Sequence, residues 1–305
     1  MYWSNYIYPK HLCDPLCALL RVLCVLDLPH VMKISAICTD IDGTLLDSNR
    51  ELSPRTIRAI KSLDTNIPVI LASSRMPGAM RHLQEELGIS DHPLICFNGG
   101  YVLHYSAGAA QPVVLDSVQI PVWICSSIAT MARSTDIHVS LYTEDHWCAP
   151  ARDQWTEREE RITKVTASIA DLEAILEQWN GTNTGAHKVM CMGPEHQIDA
   201  MEKELNASLH DNLHIYRSRP TYLEIAPRSI SKGTALALVL EKLYGIELQH
   251  AMAFGDNYND IDLLKMVGLG VAVGNARDEV KAVAKEITLN SVADGVAVAI
   301  EKYFG

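Results

Sequence analysis

Residues Asp40-Ile41-Asp42-Gly43-Thr44 close a short apolar run, Ile34 to Cys38, and restrict this chain more than any other stretch. Two carboxylates one residue apart are costly to keep beside low dielectric. Alternate residues of a strand share a face, so Asp40 and Asp42 start on the same side with Ile41 turned away. Gly43 lets the chain turn sharply, and Thr44 offers a hydroxyl and a backbone N–H. The plain structural reading is a strand ending in an Asx-type turn. The chemical reading is a divalent cation that neutralises the pair while one oxygen stays free to attack an electrophile. The rest of the chain decides between them.

A second acidic cluster, Gly255-Asp256-Asn257-Tyr258-Asn259-Asp260, follows another apolar run, His250 to Phe254. It opens a helical pattern through Ile261, Leu263, Leu264 and Met266. Asp256 falls at a strand end, where parallel α/β sheets place their ligands. Asn257, Asn259 or Asp260 serves equally as a helix cap. One cap needs one such residue, and the surplus favours a site. Between the clusters, Ser231-Lys232-Gly233-Thr234 opens a helix from Ala235 to Leu243. A lysine in a first helical turn opposes the macrodipole unless it points at an anion held there; otherwise it is an ordinary solvated lysine. Ser73 and Ser74 follow the strand Ile67 to Leu71, at a turn that suits phosphate oxygens.

Together these four segments resemble the motifs of the haloacid-dehalogenase-like phosphatases, and within them the Cof-like branch with a type IIB cap. The resemblance covers residues 32–305. It implies Mg²⁺ as cofactor and small phosphorylated metabolites as substrates. It makes Asp40 the nucleophile and Asp42 the general acid/base. It places Asp40, the Asp42 carbonyl and Asp256 on the metal. Ser73 and Lys232 would hold the phosphoryl oxygens, with Thr44 beside them and Asn259 touching the substrate phosphate. Asp260 would orient Lys232 or the metal shell, and Asn98-Gly99 would form a turn beside the substrate. One departure stands in the second motif. The branch usually reads Ala-Thr-Gly-Arg where this chain has Ala72-Ser73-Ser74-Arg75, which keeps the hydroxyl and ranks Ser73 ahead of Ser74.

The 305 residues are long for one core, and two domains are expected. A net charge of −11 argues against nucleic acid and anionic membranes as main partners. Eight scattered cysteines fit reduced thiols in a cytoplasm better than a disulfide framework. Cys13 and Cys17 lack a second pair at zinc-site spacing. Residues 1–31 lie outside the pattern and read as an upstream extension, whose run Leu16 to Leu28 is too short for a membrane span.

From 32 to 116, and again from 228 to 305, strands alternate with helices. This predicts a doubly wound parallel sheet in an α/β core. Helices are expected from Pro77 to Gly88, over 232–244, and from Asp294 to Tyr303. Residues 117–227 read as an inserted α+β cap that covers the site and selects the leaving group. From this cap, His146, Trp147, Arg217, Arg219 and Glu224 are candidate substrate contacts, against packing or solvent as the plain reading. Two rivals to a phosphatase remain: a phosphosugar mutase using the same aspartyl phosphate, and a non-catalytic metabolite binder.

Overall fold

The computed structural model describes residues 33–106, 109 and 111–305. The expectations for residues 1–31, Cys13 and Cys17 included, lie outside the described residues. The first strand, β1 (Ala36–Thr39), is buried at every position, as a strand covered on both faces must be. Ser53 caps the helix Pro54–Lys61, its hydroxyl accepting the Thr56 N–H at 3.0 Å. Then come β2 (Val69–Ala72), the helix Arg81–Leu87 and β3 (Leu94–Cys96). A tight turn leads into β4 (Tyr101–His104) and β5 (Val113–Ser117).

The chain then leaves this sheet and builds β6 (Ile120–Pro121), β7 (His138–Thr143), β8 (His146–Ala149), β9 (Ser168–Ile169), β10 (Gly185–Ala186), β11 (Lys188–Met192), β12 (Leu213–Arg219) and β13 (Tyr222–Pro227). It returns for β14 (Ala251–Gly255), β15 (Leu269–Ala272) and β16 (Glu286–Ile287). The large sheet runs β16-β15-β14-β1-β2-β3-β4-β5, parallel from β16 to β3. The predicted parallel sheet is present, with an antiparallel edge of β4 and β5 that the strand–helix rhythm did not announce. The connection from β3 to β4 is too short for a crossover, so the strands can only pair antiparallel.

Three helix expectations need adjustment. Pro77 opens only a short 3₁₀ turn, Pro77–Ala79, and a new helix begins at Arg81. Met80, at φ −120°, leaves the helical region between them, and Arg75 Nη1 donates to the Ala79 carbonyl at 3.0 Å. The last helix is Gly295–Phe304, because Asp294 sits in the left-handed region at φ +59°. The regular helix from Lys232 ends at Val239, and a wider turn, Leu240–Tyr244, carries the chain to Gly245.

The second sheet, β12-β13-β11-β7-β8-β9, is antiparallel apart from its β8–β9 pair. Alternation divides its faces. Val139, Leu141, Val189 and Ile225 pack with Ile124, Ile128, Ile198 and Leu205 from the covering helices. Tyr142, Met190 and Tyr222, on the other face, join the hydrophobic cluster of the eight-stranded sheet. No described helix is long and apolar enough to cross a membrane.

His187 links the two sheets. Its Nδ1 accepts the Glu144 N–H at 2.9 Å, which puts the proton on Nε2, 2.9 Å from Ser117 Oγ. The ring stacks on Phe97 at 5.5 Å. Burial pushes its pKa down from 6.5 to about 4. The depressed value means that stability is fully present above pH ~6.5 and is lost as pH falls toward ~4, by about 3 kcal/mol. Denaturant titrations at several pH values should show this acid loss in the wild type and not in His187→Asn. Parallel slopes would refute it.

Candidate active site

Sheet order places the acids. The chain departs in opposite directions from β1 and β14, a switch point where open α/β sheets bind ligands. The Asp40 N–H donates to the Phe254 carbonyl at 3.1 Å, so the two strands stay in register to their carboxyl ends. Asp40 and Asp256 therefore emerge side by side. Gly43 turns the chain beneath them at φ +87°, and a Cβ there would stand 2.6 Å from Asp256 Oδ2. Thr44 Oγ1 donates to Asp256 Oδ1 at 3.0 Å.

Lys232 is completely buried and joins two acids: its Nζ lies 2.5 Å from Asp40 Oδ1 and 2.7 Å from Asp260 Oδ1. Asp260 Oδ2 accepts the backbone N–H groups of Asp256 and Asn257, at 2.9 and 3.0 Å. Asp260 is thus both a helix cap and the partner of Lys232, and its oxygens are committed. Asp40 and Asp256 each keep an oxygen without a protein partner.

Asp40, Asp256 and Asp260 offer carboxylate oxygens that all lie within 4.8 Å of one another. Three acids against one ammonium leave two uncompensated negative charges. Burial, then repulsion from Asp260, raises Asp256 to about 6. Burial likewise raises Asp40, against the pull of Lys232. Burial alone would lower Lys232, but Asp260 and Asp40 outweigh it and hold the ammonium above its ordinary value. Hard oxygen donors with excess negative charge fit Mg²⁺. Asp40 and Asp256 are the side chains free to hold it.

Asp42 turns away from this cluster. Its carboxylate accepts two hydrogen bonds from Arg75, at 2.7 and 2.8 Å, and Arg50 stands 3.3 Å off. Burial opposes ionisation there, yet the Arg75 hydrogen bonds and the two guanidinium charges hold its carboxyl below the usual range. The strand ends at Thr39, so the alternation expected to align Asp40 with Asp42 does not extend that far.

A cavity of about 270 Å³ lies between the two sheets. Asp40, Asp42, Ser73, Asp256 and Asn259 face it. Thr44, Asn98, Gly99, Lys232 and Asp260 stand behind that wall. Asn98, at φ +58°, accepts a hydrogen bond from Asn259 Nδ2 at 2.9 Å, so it positions Asn259 rather than lining the cavity. Gly99 has φ +107°, and a Cβ there would stand 2.6 Å from the Ser231 carbonyl. Its glycine is explained by packing against the Lys232 helix. Ser73 is buried, with its hydroxyl accepting the Arg75 N–H at 3.2 Å.

Of the cap candidates, Arg219 and Glu224 reach the cavity. Trp147 is buried against Tyr142 with its indole N–H on Ser140, and Arg217 is held by Asp199 and Glu202. His146 is exposed on β8. Sequence reasoning missed Arg50, Arg75, Lys188, Glu159 and Tyr222, which also face the cavity. Lys188 carried a signal, being a lysine at the head of an otherwise apolar strand that is buried throughout.

A family model described as haloacid dehalogenase-like hydrolase matches residues 37–300. A Haemophilus influenzae relative is 33% identical over 276 residues, covering 90% of this chain and 99% of its own. The 5-amino-6-(5-phospho-D-ribitylamino)uracil phosphatase of Bacillus subtilis is 31% identical over 278 residues, covering 89% and 96%. A solved haloacid dehalogenase-like hydrolase from Bacteroides thetaiotaomicron superposes with a TM-score of 0.79 at 28% identity, over 89% of this chain and 100% of the other.

Proposed function

This chain belongs to the haloacid dehalogenase-like hydrolases, and from that premise we propose that it hydrolyses small phosphate monoesters through an aspartyl phosphate on Asp40. The observation that carries the proposal is the buried Lys232, which fixes one oxygen of Asp40 and leaves the other at the cavity. Asp40 attacks phosphorus, and the bond to the leaving oxygen breaks. Ser73 and Asn259 hold the phosphoryl oxygens, and Lys232 offsets charge from behind the nucleophile. Asp40, Asp256 and the Asp42 carbonyl would hold Mg²⁺, which when bound would neutralise charge between nucleophile and substrate and polarise the phosphoryl group.

Asp42, protonated once the substrate has entered, gives its proton to the leaving oxygen as the P–O bond breaks and then, as carboxylate, takes a proton from the water that frees phosphate. In the free protein its clamp by Arg75 and Arg50 keeps it ionised, which suits the second step. For the first step the clamp must loosen, and an entering phosphate dianion competes for the same guanidinium groups.

The test is phosphate release from sugar phosphates, pyridoxal phosphate, flavin mononucleotide and a phosphoribitylaminouracil, the last suggested by the Bacillus relative. Release should require Mg²⁺ and stop with EDTA. An isomeric sugar phosphate in place of free phosphate would favour a mutase instead. Silence on every ester, with folded protein, would overturn the proposal.

A further inference from the structure

Ser73, Ser74 and Arg75 form the turn after β2 that brings a hydroxyl and a guanidinium to the cavity, and their three carbonyls are held from two sides. The Ser73 carbonyl accepts the Asn98 N–H at 2.8 Å and the Arg75 carbonyl the Phe97 N–H at 3.1 Å, both from the turn after β3. The Ser74 carbonyl between them accepts instead from Lys188 Nζ, at 3.1 Å, at the head of β11 in the second sheet. A little further along, the Gly78 N–H donates to Asp145 Oδ1 at 2.6 Å, at the tip of the β7–β8 hairpin. A Cβ at Gly78 would stand 2.9 Å from that oxygen, so glycine permits the approach. Segment 74–78 of the first layer is thus pinned twice by the second sheet.

Lys188 is itself firmly placed. It is buried, and its Nζ lies 4.5 Å from the ring centre of Tyr142, its register partner on β7, and 5.9 Å from that of Phe97. Trp147 stacks on Tyr142 at 5.5 Å, and its indole N–H donates to Ser140. The lysine charge also reaches Glu159, whose carboxyl burial raises and Lys188 draws back. Its one side-chain hydrogen bond among the described residues is to the Ser74 carbonyl. A bond from an ammonium is stronger than the neutral ones on either side of it.

What the segment carries makes its position matter. Ser73 Oγ accepts the Arg75 N–H at 3.2 Å, and Arg75 clamps Asp42 with two hydrogen bonds. A shift of this turn moves a phosphoryl ligand and the partner of the acid/base together. Misplacing such groups by about 1 Å costs on the order of 100-fold in rate.

We propose that Lys188 and Asp145 are positioning residues: docking of the second sheet onto segment 74–78 sets Ser73 and Arg75 for phosphoryl transfer, whatever the leaving group. The proposal rests on the phosphatase reading above. The test uses p-nitrophenyl phosphate, acetyl phosphate and glycerol phosphate with Mg²⁺ on the wild type, Lys188→Met, Asp145→Ala and the double variant. Lys188→Met should lower kcat and kcat/KM alike, by about 10- to 100-fold, and by the same factor on all three probes. Asp145 is exposed and is not among the residues facing the cavity, so its effect must pass through the segment. Asp145→Ala should lower both parameters about 3- to 10-fold, again evenly across the probes. Because the two residues hold one segment, the double variant should lose less than the product of the single losses.

A Lys188→Met loss on one probe only, or one carried by KM, would overturn the proposal by showing that the lysine touches the leaving group. Wild-type kcat in Asp145→Ala on all three probes would overturn it as well, since the second pin would then have no bearing on the chemistry. Should Lys188→Met fail to fold, Asp145→Ala decides alone: an even loss of kcat supports the proposal and an unchanged kcat sinks it. Turnover that both variants keep in full would remove the pinning and leave the phosphatase reading standing. No turnover of any probe by the wild type would overturn the phosphatase reading itself.

Discussion

Asp40→Asn is expected to cut phosphate release by at least about 10,000-fold while leaving the protein folded. The asparagine carbonyl oxygen can still accept from Lys232, so the 2.5 Å contact has a successor, but no anionic oxygen remains to attack phosphorus. Neighbouring acids cannot take over. Asp260 is committed to Lys232 and two backbone N–H groups, and Asp256 is fixed by Thr44. Stability should hold or rise in the absence of metal, because one of three mutually repelling carboxylates is gone. Rapid acid quench with a radiolabelled phosphate ester should leave label on the wild-type protein and none on the variant. Residual turnover above about one per cent of wild type would move the nucleophile elsewhere.

The parts of this site that were legible in sequence are those where strand and chemistry adjoin along the chain. Asp40 and Asp256 each follow an apolar strand, and sheet order alone brings such ends together. Lys232 was legible because a lysine in a helix's first turn calls for an explanation, and the structure supplies two carboxylates. Contacts between distant segments were not legible. Arg75 reaches Asp42 across 33 positions, and another of its nitrogens reaches the Ala79 carbonyl, just before Met80 interrupts the helix expected from Pro77. Glu159, Lys188 and Tyr222 come from a helix and two strands, and each looks ordinary in its own segment. Their common address appears only when the second sheet turns one face to the first. Trp147 bears out the plain reading offered for it, since a conspicuous residue next to a candidate site is here simply core.

Lys232→Met carries the other large effect, and it falls on stability as well as turnover. Methionine roughly fills the lysine's volume but removes the only cation paired with Asp40 and Asp260 among the described residues. Removing one partner of a buried ion pair typically costs about 3–5 kcal/mol, because the charge left behind has neither water nor a counter-ion. For a protein of this size that is on the order of 10 °C in Tm. The sign of the pH dependence follows from the acids. Burial already raises Asp40 in the intact site, and Asp256 to about 6, and without Lys232 nothing offsets that rise for Asp40. Their protonated forms are tolerated, so the deficit is smallest below pH ~4 and widens as pH rises through the raised values. The lysine's own titration lies far above neutrality and adds no slope between pH 5 and 8. Mg²⁺ should recover more Tm in the variant than in the wild type, since it then supplies the missing positive charge; saturation at 100 Kd adds about 2.7 kcal/mol. Turnover should stay about 1,000-fold down even where Tm is restored, because a cation on the metal side cannot fix Asp40 from behind. Melting curves from pH 5 to 8 with and without Mg²⁺, read beside phosphate release, separate the two roles. A variant as stable as wild type at pH 7 without metal would mean that the carboxylates already share enough protons to need no lysine, and Lys232 would then serve catalysis alone.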